Sequence, residues 1–287
     1  MLNVFNEYDK LKKVLVASVE TFHIHPPINS TQEYYYKYDQ PVLSKMISEQ
    51  QSFVSVMSEY GIEVVWAEKR FDCTNQINTR DVAFTVGNSF VICPMKMPER
   101  QNEHLALNKI VSSFDKSDVI HRPQSGFIEG GDIILDENRM YVGISQRTNE
   151  AGLKWIIDTF SNQFEIVPIY LNKGFLHLDC VFNLLSRDIA LVLTEGIENK
   201  SLELITKEHQ IVKAFIDEQI NLPTNVFSLD PITVVCDARN VKTNRLIRDT
   251  GKNVIELDFT ENSKVGGSFR CSTCPLWREK SDERAIN

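Results

Sequence analysis

Residues able to do chemistry recur at a near-constant interval along this chain of 287 residues. Asp81, Glu129, His177 and Asn225 stand 48 residues apart, and a further 46 reach Cys271. Carboxylates, an imidazole and a thiol together suit attack on a guanidinium carbon. That group is planar, cationic and resonance-stabilised, so its carbon is a poor electrophile. Paired carboxylates fix its plane through charge-assisted hydrogen bonds, a role for which Asp81 and Asp179 are the candidates. A thiolate at Cys271 splits one hard substitution into two easier ones through a covalent thiouronium-type intermediate. The leaving amine then needs a proton and a water must later lose one. Both tasks suit an imidazole oriented and charged by a carboxylate, as His177 with Glu129 would be.

Side chains at equal intervals converge only if the elements carrying them repeat. Apolar residues at three-to-four spacing predict helices over about 40–60, 101–114, 149–161, 199–218 and 240–251. Between them lie paired strand-like runs with tight polar turns, DVAFTV-GN-SFVICP, DIILDENRMYVGIS, VFNLLSRDIALVL and NVFSLDPITVVC. A single strand, EVVWAE, DVIHRP, EIVPIY or NVIELDF, precedes each pair. A unit of strand, hairpin and helix therefore recurs about every fifty residues, a period typical of closed or stacked arrays. LKKVLVAS (11–18) has no partner before it and GGSFRCST none after it, so pairing them would close a ring. The expectation is an α/β fold, a five-bladed α/β propeller with pseudo-fivefold ββαβ repeats around a central channel and no exposed edge strand. An open α/β sheet is the competing topology. No Gly/Ser-rich linker divides the chain, so residues 1–287 are expected to form a single catalytic domain.

With 42% hydrophobic residues the chain can bury a large core. A formal charge of -8 and a pI near 5.4 argue against a nucleic-acid partner, because phosphate binding needs a basic face. The N-terminus lacks the apolar run of a signal peptide, and no apolar run reaches the roughly eighteen residues that span a bilayer. These features point to a cytoplasmic protein with a small-molecule partner and no membrane contact. In that compartment six cysteines read as buried or catalytic thiols, not a disulfide framework. The oligomeric state, a homo-oligomer included, is left open.

FIEGGDIILDENRMYVGISQRTN, HLDCVFNLLS and GGSFRCSTCPLWRE, preceded by NTRDVAF, resemble the guanidine-modifying (pentein) superfamily of arginine deiminases, dimethylarginine dimethylaminohydrolases and amidinotransferases. Four motifs in the same order, from Asp81 to Arg278, carry that resemblance. It implies the five-bladed α/β propeller, a Cys/His/Glu catalytic set and neither metal nor organic cofactor. It also implies Cys271 as nucleophile, His177 as acid/base, Glu129 as its supporting acid, and Asp81 and Asp179 as guanidinium ligands. Arg100 and Arg147 would hold a substrate carboxylate; they lie 19 and 18 residues beyond Asp81 and Glu129, where each hairpin hands over to a helix. Asp132 would act indirectly, orienting Arg147 or the Gly130-Gly131 turn. The chain reaches Asp81 too early to contain the helical insertion of arginine deiminases, and its size resembles the dimethylarginine hydrolases. RCSTC is closer to deiminases and amidinotransferases. The expected activity is therefore hydrolysis of arginine or N-methylated arginine to citrulline, of the dimethylarginine dimethylaminohydrolase kind. The alternatives are an arginine deiminase, an amidinotransferase, or a non-catalytic protein that binds an arginine derivative.

Other features carry less. Cys271-x-x-Cys274 has no second CxxC to complete a zinc site, and a strand would send the two to opposite faces. Cys73, Cys93, Cys180 and Cys236 read as small apolar fillers. Residues 21–41 form a long Tyr- and Pro-rich connection of the kind that serves as a lid, and His23-x-His25 within it is too sparse for a metal site. REKSDERAIN at the C-terminus reads as a solvated tail.

Overall fold

The computed structural model describes residues 1–280, so residues 281–287 of the expected tail lie outside the described residues. Among the described residues fifteen strands, all short, are organised in threes. In chain order they are β1 (Lys10–Val16), β2 (Glu63–Trp66), β3 (Ala83–Val86), β4 (Ser89–Ile92), β5 (Val119–His121), β6 (Ile133–Asp136), β7 (Arg139–Ile144) and β8 (Glu165–Tyr170). There follow β9 (Phe182–Leu184), β10 (Ile189–Val192), β11 (Gln210–Lys213), β12 (Phe227–Ser228), β13 (Thr233–Asp237), β14 (Asn253–Leu257) and β15 (Cys274–Glu279). Four sheets are consecutive in sequence, β3-β4-β5, β6-β7-β8, β9-β10-β11 and β12-β13-β14, and the fifth, β15-β1-β2, joins the two ends of the chain.

Each sheet repeats one pattern. A hairpin supplies an antiparallel pair, and the third strand lies parallel to the middle one, as β5 does to β4 and β8 to β7. A parallel neighbour requires a crossover. The helices Leu43–Glu59, Glu150–Phe160, Asn199–Glu208 and Val241–Asp249 provide it in four units. The β3–β4 turn is Gly87-Asn88, with Gly87 at φ 56°, the left-handed conformation that tight hairpin turns demand. Apolar side chains fill the seams between neighbouring units. Phe84, Val86 and Val91 meet Ile133, Leu135, Met140 and Val142, and Leu153, Ile156 and Phe160 of the helix cover them.

Several expectations are corrected. The single strand follows its hairpin within each sheet instead of preceding it, because it must return across the helix to pair in parallel. The helix expected over 199–218 stops at Glu208, and QIVK forms β11 against IALV of β10. Tertiary pairing outweighs helical spacing there. The 101–114 helix breaks into a 3-10 turn, Glu103–Leu107, and a short helix, Asn108–Ser112. The two ends of the chain pair through CPLWRE, with Leu15 opposite Cys274 and Lys10 opposite Glu279, not through GGSFRCST. That segment turns, through Ser272 N to Ser268 O and Thr273 N to Arg270 O. The strand argument against Cys271-x-x-Cys274 therefore loses its premise, since Cys271 precedes the strand. Residues 21–41 contain a helix, Ser30–Tyr38, capped by Asn29. Arg278 is no part of a solvated tail: it is buried in β15 and donates to the carbonyls of Asp9 and Ser228.

Charged side chains are buried between the sheets. Arg270, 1% exposed, donates to Glu7 and to the carbonyl of Ile133, and Arg80 stands beside the same glutamate. This buried ion cluster holds Glu7 at about 2, because the charges of Arg270 and Arg80 outweigh the opposing effect of burial.

Candidate active site

Each unit offers its residue at the same place, just ahead of a strand that opens a hairpin. Asp81 lies in the turn Thr79–Val82 before β3, and Glu129 and His177 precede the 3-10 turns Gly130–Asp132 and Leu178–Cys180 that lead into β6 and β9. Asn225 precedes β12, and Cys271 precedes β15. All five are buried.

The imidazole half of the site is an ion-pair array. His177 Nε2 lies 2.8 Å from Glu129 Oε2, and its Nδ1 lies 3.7 Å from Asp81 Oδ1. Burial opposes a charge on the ring, but the carboxylates of Asp81, Asp132 and Glu129 outweigh it and raise His177 to about 10. Burial likewise opposes charge on Glu129, yet the hydrogen bond and charge of His177, with Arg100 and Arg147, lower it to about 2. The pair is an imidazolium carboxylate at neutral pH. Asp81, Glu129 and His177 are close enough to contemplate a cation, their ligand atoms falling within 4.8 Å of one another. A protonated imidazole whose Nε2–H is committed to Glu129 is a poor ligand, however.

The thiol half is held by neutral and anionic groups. Asn225 Nδ2 donates to Cys271 Sγ at 3.0 Å, while Asn225 Oδ1 accepts the backbone N–H of Cys271 at 3.0 Å. The Cys271 thiol lies 3.4 Å from Asp179 Oδ2, which also accepts from Arg270 Nη1 at 2.9 Å. Burial first, then the charges of Asp179 and Asp81, push the Cys271 thiol well above its ordinary value, with Asn225 opposing them. Asp81 thus acts on both halves.

Glycines make the room between these groups. A methyl group at Gly131 would lie 2.8 Å from Asp81 Oδ1 and 2.9 Å from His177 Cγ; one at Gly267 would collide with Asn78 Oδ1 and lie 2.8 Å from Cys271 Cβ. Two acceptors in the same region, Asp81 Oδ1 and Asn78 Oδ1, are buried without a hydrogen-bond partner.

Both arginines are buried and turned inward. Arg100 donates to Asp81 Oδ2 at 2.6 Å, to both oxygens of Glu103 and to the carbonyl of Asn78. Its guanidinium is thus held by groups within the protein. Arg147 donates to the carbonyl of Ile28 at 2.8 Å and stands 3.5 Å from Glu129 Oε1. Asp132 accepts from Leu178 N at 2.8 Å and Ser145 Oγ at 2.7 Å, and Ser145 Oγ accepts from Arg147 N. It therefore anchors the turn behind His177 as well as the loop of Arg147. Burial, opposed by His177 and by the hydrogen bonds of Thr148, Ser145 and Leu178, pushes Asp132 up to about 7.

Sequence reasoning passed over Asn78, Glu103, Glu7 and Arg270. Asn78 and Arg270 were within reach of it, as the residues that open the NTRD and RCSTC motifs; Glu103 and Glu7 carry no motif of their own. Gln32 ties residues 21–41 to the site's edge, donating to Asn75 Oδ1 at 2.7 Å and to the carbonyl of Val265 at 3.0 Å.

A buried thiol, an imidazolium paired with a carboxylate and unpaired acceptors, drawn from five like units, define a protein of the pentein superfamily, whose enzymes modify guanidino groups. Residues 19–278 match the family described as N,N dimethylarginine dimethylhydrolase, eukaryotic, and the chain belongs to that family. The uncharacterized protein YkgA of Bacillus subtilis (strain 168) is 35% identical over 273 residues, 95% of this chain and 94% of that protein. An arginine deiminase of Bacillus thuringiensis subsp. konkukian (strain 97-27) is 28% identical over 250 residues, 70% of this chain but 61% of the deiminase. The chain thus spans less than two thirds of that relative's length. Among solved structures, SxtG, an amidinotransferase from Microseira wollei in the saxitoxin biosynthetic pathway, superposes with a TM-score of 0.84 at 20% identity over 98% of both chains, which establishes a shared fold. Among the described residues no helix is long and apolar enough to cross a membrane.

Proposed function

We propose that this protein is a cysteine-dependent hydrolase that cleaves a C–N bond of the guanidinium of arginine or an N-methylated arginine, releasing citrulline. Its five units are read as the blades of one α/β propeller, a single domain whose axis passes through the site. The observation that carries the reading is the convergence of Cys271, His177, Glu129, Asp81 and Asp179 in one buried place. Membership of a hydrolase family and similarity to arginine deiminases favour water as the acceptor.

Before substrate arrives, Cys271 is a neutral thiol and His177 an imidazolium. Two carboxylates, Asp81 and Asp179, attract the guanidinium, and its positive charge beside the sulfur favours loss of the thiol proton to solvent. The thiolate attacks the guanidinium carbon to give a neutral tetrahedral adduct. His177 protonates one nitrogen, the C–N bond breaks, and the amine departs from a cationic thiouronium on Cys271. Neutral His177 then takes a proton from water as it adds to the carbon. Collapse breaks the C–S bond, and the thiolate takes the last proton from the oxygen, leaving a ureido product and the thiol. The amine released picks up the proton first lost to solvent.

Glu129 keeps His177 charged for the first proton transfer. Arg100 positions Asp81, and Arg147 is the arginine assigned to a substrate carboxylate. Residues 21–41, resting on Arg147 through Ile28, form the cover. The test is incubation with arginine, dimethylarginine, agmatine and citrulline, read by mass spectrometry for product and for an adduct on Cys271. Citrulline with a transient adduct is expected. Ornithine with a newly amidinated amine would identify a transferase, and binding with neither product nor adduct would overturn the enzyme reading.

A further inference from the structure

Buried polar atoms almost always find partners, so two neighbouring acceptors without one call for an explanation. Asn78 is 5% exposed and Asp81 3%, and Oδ1 of each makes no hydrogen bond. Neither is loose. Arg100 holds Asp81 through Oδ2 at 2.6 Å and Asn78 through its carbonyl at 3.2 Å, so one guanidinium braces both; neither Oδ1 accepts a hydrogen bond, and Asp81 Oδ1 has only the His177 ring, 3.7 Å away. Asn78 Oδ1 borders the space left by Gly267, beside the β-carbon of Cys271, and Asp81 Oδ1 borders the space left by Gly131, beside the His177 ring. Asp179 stands at a further side, with Oδ2 3.4 Å from the thiol.

We propose that Asn78 is a substrate-positioning residue and that, with Asp81, it selects an unmethylated guanidinium over an N,N-dimethylated one. This rests on the guanidinium hydrolase reading above. An unmethylated guanidinium presents N–H donors on every edge of its plane, matching acceptors on three sides. A nitrogen bearing two methyl groups donates nothing, and in this enclosed site it would press carbon against an acceptor that has lost its water. Sites built to hydrogen-bond a substrate discriminate strongly against analogues lacking the donor, because the protein group is left unpaired.

The experiment compares kcat/KM for arginine and for asymmetric dimethylarginine in the wild type, Asn78→Leu and Asn78→Asp. The wild type is expected to favour arginine by about 100-fold or more. Asn78→Leu should lower the arginine value about 100-fold and the dimethylarginine value by much less, so the ratio collapses. Asn78→Asp keeps an acceptor oxygen and should keep the preference. A wild type that favours dimethylarginine overturns the inference and leaves the hydrolase reading intact. So does an Asn78→Leu variant that loses both activities in equal proportion. If neither compound is turned over nor forms an adduct on Cys271, the hydrolase reading fails and this inference with it.

Discussion

In one half of the site His177 and Glu129 carry full opposite charges 2.8 Å apart, with Arg147 behind them; in the other, Cys271 remains a neutral thiol between Asn225 and Asp179. Both halves are equally buried, so burial alone does not separate them. The sign of the neighbouring charge does. Carboxylates beside an imidazole stabilise its cation, whereas carboxylates beside a thiol oppose its anion. The acid is therefore armed in the resting protein and the nucleophile is not. A cationic substrate that neutralises Asp81 and Asp179 would supply what the thiol lacks, and reactivity would be confined to the occupied site.

The sharpest break of this contrast is Cys271→Ser, which should lower turnover by about 10⁴-fold or more while arginine still binds, as measured by product formation and calorimetry. Glu129→Gln should cost roughly 10²–10³ in kcat, within the range of general acid–base effects. Because Glu129 helps raise His177 to about 10, its loss should also move the basic limb of the kcat/KM profile to lower pH. A limb that stays in place would show that Glu129 does not tune the imidazole. Alkylation of Cys271 by iodoacetamide should be slow at neutral pH and rise about tenfold per pH unit without levelling off below pH 9, followed by peptide mass spectrometry. A plateau near pH 7 would mean a resting thiolate.

The smallest effect is on stability. His177 is raised from 6.5 to about 10, so its contribution is complete below pH 6.5 and disappears as pH rises through about 10. Glu129 is lowered from 4.5 to about 2, so its contribution is complete above pH 4.5 and disappears as pH falls through about 2. The wild-type advantage in Tm over Glu129→Gln should therefore be largest between those windows and narrow toward pH 10. An advantage that is flat with pH would show that the pair is not charged.

Much of this site could be read in the chain before folding was considered. The interval of 48 residues aligned Asp81, Glu129, His177 and Asn225, and the four hairpins appear where alternation and turn residues placed them. Failures occurred where a contact from elsewhere overrode local pattern. QIVK carried helical spacing but took the free edge of β10, and CPLWRE took the edge of β1 that GGSFRCST had been expected to fill.

Residue types and spacing, which the chain states by itself, determined the α/β repeat and the identities of the thiol, the imidazole and the acids beside them. Only the tertiary structure decided which of these are charged, what the two arginines bond to and which acceptors lack a hydrogen bond. Those properties depend on distances between groups from different units and on the exclusion of water. Neither quantity exists until the sheets have packed together.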